Sequence, residues 1–361
     1  MIIKNLVRSL PITVLLTTVV TAQQTSSLAV SGFVDGYYSW NFNQPANRTD
    51  KLRNFDVYDN QMNLSLAEVV LQKKAEPVGF RLDADFGTAN DMVQGIPPYG
   101  TTPYSTLTNL QQAYLTGVIP VGAGLTVDAG KFVTHMGYEV IESKDNWNYS
   151  RSLLFAWAIP YYHTGIRFTY PFSSSFTAAF HVVNNWNSNI DNNDFKSLGL
   201  ALNYSISSST TFTLNVMDGV EESEPNIAGK KTVFDLILTN QLTDAFAITL
   251  NGDYGDERTL GGLATWKGIA VYGRYSIDTV SAVAIRAEIF DDPIGYATAL
   301  SVPKLDVKEV TATYEYKFSN ALLLRGEYRY DFANAAIFDK KTTVNSQNNQ
   351  PTLLIGAVVM F

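Results

Sequence analysis

The sequence predicts an all-β chain, a transmembrane antiparallel β-barrel of about 16 strands, and three observations carry that expectation. The 361 residues include 20 Tyr, 20 Phe and 5 Trp, yet the mean hydropathy is only −0.02. Aromatic wealth at neutral hydropathy suits strands whose side chains face lipid and water by turns. Short turn clusters and longer polar stretches alternate along the chain, each flanked by residues alternating apolar and polar. Beyond residue 22, no segment approaches the ~18 continuous apolar residues of a spanning helix.

Composition narrows the chemistry. With no cysteine, a disulfide framework, a cysteine nucleophile and a thiolate metal site are excluded. Three histidines leave little for imidazole metal clusters, and no cofactor or metal is expected. The formal charge of −8 argues against a nucleic-acid partner, which clustered Lys and Arg would serve.

Residues 1–22 read as a secretory signal peptide: Lys4 and Arg8 are basic, Leu10 to Val20 is a short apolar stretch, and Val20-Thr21-Ala22 precedes a cleavage site. The apolar run falls short of the ~20 residues a membrane anchor requires. Residues 23–361 are then one exported barrel domain.

Tight turns fall near Lys74–Pro77, Val121–Gly124, Ser173–Ser175, Ser207–Ser209, Leu242–Asp244, Asp278-Thr279 and Ser319-Asn320. Longer stretches occupy roughly 41–58, 88–108, 134–160, 187–196, 218–231, 255–264, 291–304 and 331–350. Seven turns and eight loops imply sixteen strands, with both chain ends on the short-turn side. Within strands, Phe80, Leu82, Ala84 and Phe86 share one face, with Arg81, Asp83 and Asp85 on the other. Residues 198–206 and 322–331 alternate likewise. Phe176, Phe212 and Phe246 follow tight turns, whereas Tyr38, Trp40, Tyr254, Tyr328 and Tyr330 lie at the opposite strand ends, as two interfacial aromatic belts would. The last strand, Leu353 to Phe361, is amphipathic and ends in an aromatic residue. Around Glu68 and Lys131 the alternation loses phase, which predicts β-bulges or loop-proximal strand ends.

The run Gly130-Lys131-Phe132-Val133-Thr134-His135-Met136-Gly137-Tyr138-Glu139-Val140-Ile141 resembles a motif of the OmpL-like β-barrel porins. The continuation Asn148-Tyr149-Ser150-Arg151-Ser152 and Pro160-Tyr161-Tyr162-His163-Thr164-Gly165 are similar to it as well. Asn184-Asn185-Trp186 (with Asn185 where the family often has Gly), Arg286–Asp292 and Arg325–Asp331 extend the resemblance over essentially the whole exported chain. It implies a bacterial outer-membrane pore for small hydrophilic solutes, without catalytic residues. Porins often assemble as trimers, so a homo-trimer within membrane lipids is expected.

Charged residues of inward parity are the candidate pore lining, chiefly Arg81, Asp83, Asp85, Arg167, Arg286, Glu288, Arg325, Glu327 and Arg329. Asp35, Asp128, Asp235, Asp253, Glu309, Glu315 and Asp331 add acids of the same parity, and Arg274 and Lys317 add bases. So many charges need water or one another, because unpaired burial costs several kcal/mol each. The excess of acids predicts a mild cation preference. Arg286/Glu288 and Arg325/Glu327/Arg329 form either a transverse field across the pore or wall-bracing salt bridges. The longest loop, 134–160, is expected to fold inward as in general porins, with Glu139 and Glu142 facing wall bases; an external lid is the competing reading. An adhesin or receptor working through its loops is the main alternative function. A hydrolase built on His163 or His181 is weaker, because no Gly-x-Ser-x-Gly elbow accompanies them.

Overall fold

In a computed structural model, which describes residues 28–95, 106–221, 229–300 and 302–361, the chain closes into a single antiparallel barrel. The strands are β1 (Ala29–Asn41), β2 (Met62–Lys73), β3 (Val78–Phe86), β4 (Leu110–Ile119), β5 (Leu125–Val133) and β6 (Tyr162–Pro171). There follow β7 (Phe176–Val183), β8 (Ser197–Ser205), β9 (Thr210–Gly219), β10 (Lys231–Gln241), β11 (Phe246–Thr259) and β12 (Gly262–Ser276). The remainder are β13 (Ser281–Asp292), β14 (Leu305–Ser319), β15 (Leu322–Ala333), β16 (Phe338–Lys340), β17 (Thr343–Gln347) and β18 (Asn349–Met360). Sixteen of them make the wall; β16 and β17 form a separate hairpin within the last long loop. Residues 1–22, where the signal peptide is expected, lie outside the described residues.

Closure runs through β1 and β18, which pair in register from Phe33↔Met360 to Asn41↔Thr352. Each neighbouring pair otherwise follows chain order, so every wall strand satisfies its backbone donors and acceptors on both sides. Alternation then sorts the side chains. On β15, Leu323, Arg325, Glu327, Arg329 and Asp331 are buried inside, while Tyr328, Tyr330 and Phe332 are exposed on the outer face. All seven tight turns sit where the turn residues place them.

The loop expected at 255–264 is instead strand. β11 and β12 continue through it and turn at Leu260-Gly261, pairing Thr259↔Gly262 and Arg258↔Leu263. Polar Asp256, Glu257 and Arg258 suggest a loop by composition, yet a hairpin standing above the membrane can be polar on both faces. The phase break near Glu68 has a bulge behind it: opposite Asp35 and Gly36 the partners step from Leu66 to Leu64, leaving Ser65 extra. Lys131 is a loop-proximal strand end, for β4 and β5 stay in register through it.

The core lies inside the wall. Two long loops turn inward: 42–61 buries Leu52, Phe55 and Val57, and 134–161 buries Met136, Ile141, Leu153, Leu154, Phe155, Ala158 and Ile159. All of these but Val57 merge with Phe33 and Leu66 on one side of the barrel, Val183, Met217 and Val233 on another, and Trp266 and Phe290. Burying each large apolar side chain stabilises by roughly 1.5–3 kcal/mol. The uninterrupted apolar run Leu153–Ile159 therefore has nowhere to go but the lumen. Part of it, Leu154–Ala158, makes a single π-helical turn, begun by Ser152 Oγ accepting from Phe155 N at 3.0 Å.

Candidate functional site: the barrel lumen and its infolded loop

Loop 134–161 is held to the wall mainly through its own backbone, with two side-chain hydroxyls added. Glu327 of β15 accepts from Tyr149 N at 2.6 Å and Ser150 N at 3.0 Å. Glu288 of β13 accepts from Leu153 N at 2.6 Å and Leu154 N at 3.2 Å. Asp235 of β10 accepts from Gly137 N at 2.9 Å, and Asp35 of β1 from Ser143 Oγ at 2.6 Å and Tyr149 Oη at 2.7 Å. Three wall arginines take the loop carbonyls. Arg286 donates to Ser150 O at 2.6 Å, Arg325 to Ser143 O and Asn146 O, and Arg329 to Arg151 O at 2.6 Å. Peptide groups removed from water need such partners, and charge-assisted bonds are the strong kind. Where the loop touches the wall most closely, the wall has glycine. A Cβ on Gly356 would stand 2.5 Å from the Tyr149 ring, and one on Gly268 2.5 Å from Leu154 Cδ2.

The wall charges are also paired with one another. Arg286 bonds Glu309 at 2.6 Å and the loop's Glu139 at 2.7 Å, both essentially out of water. Arg325 bonds Glu315 at 2.6 Å, and Arg329 bonds Asp331 at 2.8 Å. Loop 42–61 adds a guanidinium of its own: Arg53 reaches Asp331 at 2.9 Å and Thr352 Oγ1 at 2.9 Å. It rests on the other loop through Asn54 Nδ2 to Ala156 O at 2.9 Å, and Trp157 Nε1 returns to Leu52 O at 3.3 Å.

Of the nine wall residues singled out from parity, Asp83, Asp85, Arg286, Glu288, Arg325, Glu327 and Arg329 are buried rather than wetted, while Arg81 and Arg167 reach solvent. Arg81 Nε donates to Asp83 at 2.9 Å, and Arg167 Nη2 to Asp128 at 2.7 Å. Asp85 stands directly opposite Glu68 in register, and neither of its carboxylate oxygens has a hydrogen-bond partner among the described residues. Glu139 meets Arg286 as a wall base, and its second oxygen accepts from Ser152 N at 2.7 Å. Glu142 does not meet a wall base: it accepts from Gln111 Nε2 at 3.3 Å and lies near the wall acids Glu68 and Asp85. Burial pushes the Glu142 carboxyl above its usual range.

Arg53 and the loop's apolar run are parts of the filled lumen that parity could not find. A seven-residue apolar stretch in an otherwise polar loop was the available signal. The histidines gather too: the His135 and His181 rings stack at 4.2 Å, with His163 6.0 Å from His135. Their polar partners are Val216 O, Asn185 O and Thr134 Oγ1; His181 has none, and among the described residues no serine hydroxyl bonds a histidine. Nor do the described residues hold a cluster of metal-ligating side chains. In the long loop 218–231, Glu221 accepts from Ser197 Oγ at 2.7 Å and Trp186 N at 2.6 Å.

A closed wall of sixteen antiparallel strands, apolar outside and charged within, with its third long loop folded into the lumen, defines a porin of the bacterial outer membrane. The chain belongs to the family described as "Putative beta-barrel porin-2, OmpL-like", whose model matches residues 27–361. Solved structures similar to it include OmpT of Vibrio cholerae in a form lacking loop L8 (TM-score 0.62, 12% identity, covering 93% of this chain and 99% of that one). An anion-selective porin from Comamonas acidovorans gives TM-score 0.62 and 12% identity over 93% and 99% of the two chains. The channel DcaP of Acinetobacter baumannii gives 0.62 and 11% over 92% and 97%. No curated protein matches in sequence.

Proposed function

We propose that the protein is a diffusion channel for small hydrophilic solutes and ions, with loop 134–161 as its constriction. One observation carries this reading. Toward the short turns, the inward faces of β7 to β10 offer Thr177, Ala179, Asn203, Thr213 and Thr239, small or polar side chains suited to a hydrated passage. In this reading Arg81 and Arg167 border the passage directly. Asp83 backs Arg81; Asp85, Arg286, Glu288, Arg325, Glu327 and Arg329 shape the passage by holding or flanking the loop, and Glu139 and Glu142 fix the loop's path against the wall. The protein is exported by residues 1–22 and, like the trimeric form known for the Vibrio cholerae protein, assembles in threes; the mass of detergent-solubilised particles tests the assembly.

Deleting residues 139–150 removes the constriction. The expected result is a several-fold rise in single-channel conductance and faster swelling of reconstituted vesicles in sugars that the intact protein retards. Unchanged conductance removes the constriction role. The interlocked loops 42–61 and 134–161 favour a second reading, a closed barrel working as an adhesin or receptor through its outer rim; planar bilayers that stay silent would support it. A hydrolase built on the histidines is the weaker reading: the hydroxyl within reach of His163 is that of Thr134, at 3.2 Å, and no serine hydroxyl bonds a histidine among the described residues.

A further inference from the structure

The charges that a permeating solute meets are not the charges that parity counts. Three ion pairs line the short-turn half of the lumen, and in each the base is the partner in water. Arg81 is 31% exposed against 0% for Asp83, Arg167 23% against 7% for Asp128, and Arg274 25% against 9% for Glu315. The carboxylates lie against the wall, held there by further donors: Gln112 Nε2 on Asp83, Thr116 Oγ1 on Asp128 at 2.6 Å, and Arg325 on Glu315. Glu315 thus faces two guanidiniums, and Lys317 on the same strand adds an exposed ammonium. Two cavities of about 350 and 280 Å3 open in this region. Arg274, Lys317 and Lys144 border the first, and Arg81 and Lys144 border the second. The one well-exposed acid beside them, Asp145, is paired with Lys144, and this fourth pair alone presents its acid to water, 54% exposed against 24% for the lysine.

We propose that this half of the lumen is a selectivity region for small anionic solutes, with Arg81, Arg167 and Arg274 as its contact residues. The proposal rests on the channel reading above and names the class of solute. A guanidinium fork in water can bond a carboxylate or phosphate in two places, while the carboxylate behind it is one side chain farther away and already occupied. Coulomb interaction falls with distance, and a narrow lumen with low-dielectric walls concentrates the field of the nearest charge. The balance of acids and bases, which favours cations when each charge counts equally, is thereby reversed in sign at the solute.

Reversal potentials in planar bilayers under a potassium chloride gradient test this. The intact protein should prefer chloride, and the triple variant R81Q/R167Q/R274Q should lose that preference, its chloride-to-potassium permeability ratio falling several-fold to one or below. The single variant R167Q should shift the ratio in the same direction by less, and R167K should retain it; these two serve if the triple variant fails to fold. A potassium-preferring intact channel overturns the proposal, as does a preference unmoved by the glutamine variants. A protein that forms no channels overturns the channel reading, and this proposal with it.

Discussion

Arg286 shows how a charge can be wholly buried and still belong there. Its guanidinium spans the wall's Glu309, the loop's Glu139 and the carbonyl of Ser150, so every partner is itself satisfied by it. Replacing Arg286 with Met takes the guanidinium from two buried carboxylates, leaving Glu139 only Ser152 N and Glu309 only Arg329 and Thr311, a change that costs about 3–5 kcal/mol. The R286M barrel should melt lower in detergent and yield to protease within 134–161. A melt and a digestion pattern like those of the parent would dismiss this account. Asp50 carries a pH dependence instead. Buried beside Asn41 Nδ2 at 2.6 Å, it is pushed up by that burial from 3.8 to about 8. Between those values the folded chain holds a proton that the unfolded chain lacks, so the contribution is complete at low pH and lost as pH rises through about 8. His135, pulled by burial from 6.5 down to about 4, works in the opposite direction: its contribution is complete above 6.5 and lost as pH falls through about 4. Protease sensitivity of 42–61 should therefore rise on the alkaline side and that of 134–161 on the acid side. Asp50→Asn should flatten the first trend alone.

At the scale of elements, what the sequence shows and what it hides divide along one physical line. Strands announce themselves because a wall between lipid and water imposes period two on every one of them, as in Leu198, Leu200 and Tyr204, all exposed on the outer face. Turns announce themselves through Gly, Ser, Asn and Asp. Loops that fold back into the barrel obey no period, since their partners come from everywhere on the wall. Arg53 and Asp331 are 278 positions apart, Arg325 and Ser143 182. Thus the inward parity of Glu288 and Glu327 was legible, but not that each would grip two backbone amides. For the same reason Glu142, expected opposite a base, sits near acids, because its place is fixed by the path of the loop around it. The hairpin of β11 and β12 was hidden for another cause: above the membrane, nothing enforces alternation.

For the molecule as a whole, the outer face is a solvent contract with lipid. Ile285, near the middle of β13, is exposed there. Ile285→Arg should destabilise the inserted barrel by about 2–4 kcal/mol, the cost of a guanidinium near the bilayer midplane. Unfolding from lipid vesicles in denaturant measures it, and an unaffected midpoint would mean that this face is not in lipid. Closure by β1 and β18 makes such changes felt everywhere, because no strand can slip without breaking a ladder on each side.

The tall hairpin of β11 and β12 has a practical consequence. Its tip, Leu260-Gly261, is exposed, and the ladder below it is complete from Thr259↔Gly262 downward. A short epitope spliced between those two residues would be carried above the cell surface like a pennant on a stiff mast. Antibodies or dyes could reach it there while the passage beneath was left undisturbed.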